Sequence, residues 1–354
     1  MNEELKFTAT GIGCMPFLET ESTLSLIGKS LPLLPHWPQL PKRGEQEHFI
    51  FQYLAPLVKL GLIAIEEGKA PYMNSEYADL PEKLTAFYEL YLSVEAGDEE
   101  ALEAFAFPPD SAIGFYAFCE AVQNNEFPYA KFLKGQISGP LSVALTLTDQ
   151  DRRSVYYDSQ FRDVIVKTLA LHTKWQAKKL GGLGKQAIIF IDDPSLYALG
   201  ASSHITLTKE EVTEELKTVI DAAKDEGSLV GVHSCANVDW SLLLTIGIDF
   251  LSFDAYGYFD NLLLYGDDIT AFLKQGGTLA WGIVPTSEAI FDETAETLYI
   301  RLLSHIDALA AKGVPRELIL SNAVLTPSCG TGTLSIETAE RIYKVLSELT
   351  FVNP

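Results

Sequence analysis

Apolar residues in this chain gather into short, near-continuous runs, separated by longer stretches where they recur every three or four positions. Lys131–Ile137, Gln186–Asp192, Ser228–Cys235, Ile248–Asp254, Thr278–Val284 and Glu317–Asn322 are runs of the first kind. Their length and apolar density predict strands buried on both faces. The intervening stretches carry the helical period. Phe161, Ile165 and Leu169 share one stripe, and so do Val212, Leu216, Val219, Ile220 and Ala223. Thr208-x-x-Glu211 is a capping box that opens the second of these helices, and Gly181-Gly182 and Gly227 supply stops.

Upstream the pattern is less regular. Phe7–Gly13 and Gly61–Glu66 read as two earlier strands, Gln46–Leu60 as a helix, and Tyr72–Pro128 as a mostly helical, aromatic insertion. Cys119 sits there on an apolar face and reads as a small core residue. Leu31–Pro41 holds Pro32, Pro35, Pro38 and Pro41, a density that predicts an ordered surface loop, with Trp37 packing within it. A last helix is expected over Ser335–Leu349.

Eight candidate strands, the last six alternating with helices, predict an α/β fold with a parallel sheet. The expected architecture is a (β/α)8 TIM barrel with helical insertions in the N-terminal third, residues 1–354 forming a single catalytic barrel domain. The 354-residue length suits that fold. No GxGxxG follows the first run, which weighs against a dinucleotide-binding sheet.

Charge narrows the partners. The chain carries 26 basic and 48 acidic residues, a formal net charge of −22. Such a balance repels nucleic acid and anionic membrane surfaces, so neither is an expected partner. No apolar run is long enough for a membrane span, and the charged start Met1–Lys6 does not read as a secretory signal. The expected location is cytoplasmic. There the four cysteines, Cys14, Cys119, Cys235 and Cys329, are expected to bind metal, do chemistry or sit buried rather than form disulfides.

Candidate chemistry gathers at the strand ends. In a barrel of this kind every strand's C-terminal end opens on one face. Asp192, His233, Cys235, Asp254 and Cys329 each lie at or just after such an end. Each has an ordinary reading alone: a buried side chain, a helix N-cap, a turn filler. Together, His233, Cys235, Asp254 and Cys329 make a zinc site with distributed ligands. Two thiolates and a carboxylate would put three negative charges around Zn2+. A shell so rich in electrons polarises water poorly but leaves a deprotonated thiol nucleophilic, which favours alkyl transfer to sulfur.

These residues resemble a known family. His233-Ser234-Cys235, Phe250-Leu251-Ser252-Phe253-Asp254 and Pro327-Ser328-Cys329-Gly330 are similar to the zinc-ligand motifs in the C-terminal catalytic barrel of cobalamin-independent methionine synthase. The wider superfamily includes uroporphyrinogen decarboxylase and the corrinoid-dependent coenzyme M methyltransferases. The resemblance covers most of the chain. It implies that Asp192, in Ile189-Phe190-Ile191-Asp192-Asp193-Pro194, holds a homocysteine amine. It also implies that the turn with Ile12 and Cys14 meets the amino-acid carboxylate, Cys14 standing where the family has serine.

The departures are specific. Asp254 replaces a glutamate, which keeps the charge and shortens the reach. Glu76 matches a second amine-binding acid only with a one-residue gap. Gly282–Thr286 replaces the segment that carries a proton-shuttling histidine. The N-terminal barrel that helps bind folate is not matched, as in the short "core" methionine synthases.

The implied activity is a zinc-dependent methyltransferase. It would take a thiol, homocysteine, as the thiolate and methylate it from methylcobalamin, another corrinoid or a folate-type donor, giving methionine. The implied catalytic residues are His233, Cys235 and Cys329, and the implied partners are a small-molecule thiol and a corrinoid protein. One alternative is transfer from a methylcorrinoid protein to coenzyme M or another thiol. A decarboxylase like uroporphyrinogen decarboxylase would need clustered cations, and the seven arginines are scattered. A structural zinc without turnover is the non-enzymatic alternative.

Overall fold

Alternation along the strands organises the molecule, whose residues 5–66, 70–201 and 206–352 are described by a computed structural model. Met1–Glu4, from the charged N-terminal stretch, lie outside the described residues. In chain order the strands are β1 (Ile63–Ala64), β2 (Tyr72–Met73), β3 (Phe132–Ser138), β4 (Thr148–Asp149) and β5 (Gln186–Asp192). They continue with β6 (Leu229–Ser234), β7 (Phe250–Phe253), β8 (Thr278–Val284) and β9 (Ala323–Pro327). The strands β3, β5, β6, β7, β8 and β9 form one sheet in that order, every pair parallel.

Successive residues of each strand face opposite sides of the sheet. Phe132, Ile188, Phe190, Phe250, Ala280 and Val324 point inward and pack with Leu5 and Leu34. Leu133, Ile137, Ala187, Ile189, Ile191, Val230, Val232, Leu251, Leu279, Trp281 and Leu325 point outward into the main core under the helices. Those helices include Ser159–Gly181, Lys209–Lys224, Ala295–Ala311 and Ile336–Val352. Asp158 caps the first, accepting from the backbone N–H groups of Gln160 and Phe161, and Thr208 caps the second through Glu211 N–H.

The closed eight-stranded barrel expected from the sequence is not formed. The main sheet is a six-stranded parallel half-barrel. The Phe7–Gly13 run makes no regular strand. It runs beside β9 with one bridge, Ala9 to Leu325, and a further hydrogen bond from Phe7 N–H to Ala323 O at 2.7 Å, and Phe7 takes a positive φ of 53°. The other missing strand was placed at Gly61–Glu66. Only Ile63–Ala64 of it is a strand, and that strand pairs antiparallel with β2 in a separate small sheet with β4.

Other expectations are corrected as well. The proline-rich segment is not a surface loop. His36, Trp37 and Leu40 are fully buried, and the segment runs beside β3. Trp37 N–H donates to Lys134 O at 3.2 Å and Lys134 N–H to Pro35 O at 2.9 Å. Phe132 N–H also donates to Leu33 O at 3.2 Å, but Pro35 has no N–H to return a bond, so the regular pairing is limited to one bridge between His36 and Lys134. Trp37 packs as expected, edge-on to Phe107 and Phe115, with Nε1 donating to Gln176 Oε1 at 2.8 Å.

The Gln46–Leu60 stretch is mostly single 3-10 turns, with a short α-helix over Ala55–Lys59. The Glu317–Asn322 run is helical over Arg316–Ser321, and the strand follows it at Ala323–Pro327. A short apolar run suits either state, and Pro315 at the N-cap fixes the helical start.

Candidate metal centre

One row of paired residues crosses the sheet near its C-terminal edge. Ser138 pairs with Asp192, Asp192 with His233, His233 with Ser252, and Ser252 with Ala280. Because Phe190 points inward, Asp192 does too, and the same phase turns His233 inward. Cys235 follows β6 by one residue, and Cys329 follows β9 by two.

The chain thereby brings together His233, Cys235 and Cys329. One ligating atom from each lies within 4.8 Å of the others. His233 is buried, and its Nδ1 lies 2.9 Å from Ser252 Oγ. Its Nε2 is buried and has no hydrogen-bond partner. An imidazole fixed through one nitrogen, with the other free and beside two sulfurs, is the arrangement a metal-binding histidine requires. Tetrahedral zinc takes nitrogen at about 2.0–2.1 Å and sulfur at about 2.3 Å, so three donors this close fit one ion.

The two thiols are coupled. The neighbouring Cys329 thiol, and then the His233 ring beside it, pull Cys235 below the ordinary thiol range, against burial. The same contact and burial push Cys329 up.

Asp254 stands outside this group. It accepts from Gly257 N–H through Oδ1 at 2.7 Å, and burial raises its pKa against that bond and one from Tyr256 N–H. It is still near enough for Cys235 and His233 to influence its charge. A three-donor shell carries two negative charges rather than the three expected with Asp254. Gly282 lets the loops carrying Asp254 and Cys329 approach each other. A Cβ there would fall 2.4 Å from Phe253 O, 3.0 Å from Ser328 Cα and 3.2 Å from Asp254 Cα.

Asp192 is aimed at the same region. Its Oδ1 is buried without a partner, and burial pushes its pKa up to about 6, with Lys134 and His233 opposing and Cys235 adding to the rise. Cys14 is near as well. Its pKa is raised chiefly by burial, and its sulfur packs so close to Gly330 that a Cβ there would come within 2.1 Å. Thr331 holds the Cys14 carbonyl through both N–H and Oγ1, each at 3.0 Å. Ile12 is buried, and its carbonyl accepts from Lys134 Nζ at 2.5 Å.

Glu76 is not drawn in. It is exposed, in a turn next to the small sheet, and its N–H donates to Asn74 Oδ1 at 2.9 Å.

Lys134 is the residue the sequence reading missed. It lies in phase with Phe132 and Gln136 on the inner face of β3. A charged residue in the middle of a strand otherwise buried on both faces was the available signal.

No family model and no curated protein matches this chain. Among solved structures, the chain is similar to one described as "Inhibition of the pneumococcal virulence factor StrH and molecular insights into N-glycan recognition and hydrolysis". The identity is 11% and the TM-score 0.49, over 99% of this chain and 84% of that one. Likeness of that depth bears on neither the fold nor the chemistry. Among the described residues, no helix is long and apolar enough to cross a membrane.

Proposed function

We propose that the protein is a zinc-dependent thiol S-methyltransferase, with homocysteine as the acceptor and a corrinoid or folate-type methyl donor. The observation that carries this reading is the grouping of His233 Nε2 with the sulfurs of Cys235 and Cys329, the imidazole nitrogen being buried and unpartnered. His233, Cys235 and Cys329 would hold the metal, leaving a fourth position for substrate. Bound zinc supplies the positive charge that keeps a thiol deprotonated at neutral pH.

The chain's own residues do the rest. The Cys235 and Cys329 thiolates return electron density, so a substrate sulfur stays nucleophilic rather than merely acidic. Ser252 fixes the ring of His233. The inward face of Asp192 offers an unpaired oxygen to a substrate amine, the role implied by the resemblance to methionine synthase. In the reaction, a sulfur lone pair forms the new carbon–sulfur bond. The bond from methyl to its donor breaks, and its electron pair stays with the donor.

The test is metal analysis joined to a methylcobalamin demethylation assay over a panel of thiols. One bound zinc per chain, thiol-dependent loss of the methyl group and a thioether product are expected. Full transfer by a Cys235→Ser protein that keeps its zinc overturns the reading.

A further inference from the structure

The inner face of the sheet holds one buried cation. Lys134 is fully buried, and it is the only lysine or arginine among the buried described residues. Its Nζ donates to Ile12 O at 2.5 Å and lies 4.7 Å from the centre of the Phe190 ring. It makes no ion pair with a described carboxylate, although Asp192 and Cys14 are close enough to feel its charge. An ammonium has three N–H donors, so one hydrogen bond leaves two unassigned. Leaving a buried ammonium so poorly satisfied is costly unless something else completes it.

Other buried polar atoms show the same deficit. Thr10 Oγ1, Gln136 Oε1, Asp192 Oδ1 and Thr326 Oγ1 are all buried without partners. Gln136, Asp192 and Thr326 lie in phase with the inward residues Phe132, Phe190 and Val324 of their strands. Unsatisfied groups are scattered elsewhere in the chain too. Here a buried cation shares the inner face with three of them, and that face also carries the metal centre.

We infer that Lys134 is a specificity-determining residue that selects thiols bearing an anionic head group, a carboxylate or a sulfonate. The inference rests on the thiol-methyltransferase reading and adds what that reading leaves open. With Asp192 and Cys14 as neighbours and no second buried lysine or arginine among the described residues, an incoming carboxylate finds its one opposite side-chain charge at Nζ. Hydrogen bonds between charged partners are the stronger class, so a neutral head group of the same shape should bind distinctly more weakly. Burial pulls the Lys134 pKa down to about 8, with Asp192 and then Cys14 opposing, so the ammonium keeps its charge at neutral pH.

The test compares 3-mercaptopropionate with its neutral amide, 3-mercaptopropionamide, by calorimetric titration of the zinc-loaded protein at pH 7. The wild-type protein is expected to bind the carboxylate at least 10-fold tighter than the amide, a size typical of one charge-assisted hydrogen bond. In Lys134→Met the ratio should fall to about 1, with zinc content unchanged and amide affinity close to wild type. Lys134→Arg, which keeps the charge, should retain the preference. Equal affinities in the wild-type protein overturn the inference, and so does a preference that survives in Lys134→Met. Should Lys134→Met fail to fold, the wild-type ratio decides. Binding of both thiols without preference sinks only the role of Lys134, whereas binding of neither sinks the thiol reading as well.

Discussion

Across the boundary between β6 and β7, the Nδ1 of His233 lies 2.9 Å from the hydroxyl oxygen of Ser252, its partner in register. The contact occupies Nδ1 and leaves Nε2 as the nitrogen free to bind a metal with the two sulfurs. Ser252→Ala removes this orienting partner without touching a ligand atom. Loss of such a partner weakens metal affinity by roughly 10–100-fold. Competition with a chromogenic chelator should show that loss while the melting temperature of the metal-free protein changes little.

The donor set predicts which acidic and thiol residues matter. Cys329→Ser should lose more affinity than Ser252→Ala, because it removes a ligand atom of the three-donor group. Asp254→Asn should keep its zinc within about 3-fold, since the Asp254 carboxylate is engaged with Gly257 N–H and not with the group. Equal zinc loss in the two proteins would make Asp254 a ligand after all.

The strands that lead to Asp192, His233 and Asp254 were legible in the sequence because each is a near-continuous apolar run with a polar residue at its end, whereas the strand before Cys329 lies one run later than expected, at Ala323–Pro327. Asp192, His233 and Asp254 could be placed by that rule alone. The barrel closure was not legible. It depended on Phe7–Gly13 and Gly61–Glu66 joining the main sheet as full strands; the first forms no regular strand beside β9, with a positive φ at Phe7, and the second pairs with β2 in a separate small sheet. Asp254 lies outside the three-donor group for a local reason: an aspartate three residues before a glycine N–H closes its own turn. Lys134 was passed over because strand prediction reads apolar density and is blind to one inward charge.

Packing between Cys14 and Gly330 predicts a suppressor pair. A Cβ on residue 330 would lie 2.1 Å from Cys14 Sγ, a distance no relaxed side chain tolerates. Cys14 has little room to yield, since Thr331 holds its carbonyl and Gly332 lies against its other side. Gly330→Ala should therefore cost roughly 1–3 kcal/mol, the usual cost of overpacking, and displace the neighbouring Cys329. Cys14→Ala alone should keep its zinc. Adding Cys14→Ala to Gly330→Ala should restore both stability and zinc content, as measured by thermal unfolding and metal analysis. A double variant no better than Gly330→Ala would place the strain elsewhere.

His172, remote from the metal ligands in sequence, predicts a pH dependence of stability. Its Nδ1 donates to Phe105 O at 2.7 Å, and its Nε2 is buried without a partner. Around it stand Phe107 at 4.2 Å, Tyr53 at 5.4 Å and Trp175 at 5.7 Å between ring centres. Burial among these rings lowers its pKa to about 4, with the Phe105 carbonyl opposing. The unfolded chain, near 6.5, therefore binds a proton that the folded chain refuses between about pH 4 and 6.5. Stability from this group is complete above that window and is lost as pH falls through it. Between pH 8 and pH 5 the loss amounts to about 2 kcal/mol. His36, lowered to about 3, acts in the same direction. Asp192 and Asp193, raised to about 6 and 7, act in the opposite one, so the wild-type curve alone does not isolate His172. His172→Asn keeps a donor for Phe105 O and cannot titrate. Urea unfolding at pH 8 and pH 5 should find the wild-type advantage over His172→Asn smaller by about 2 kcal/mol at the lower pH. Parallel curves for the two proteins would mean that His172 takes up its proton as readily folded as unfolded.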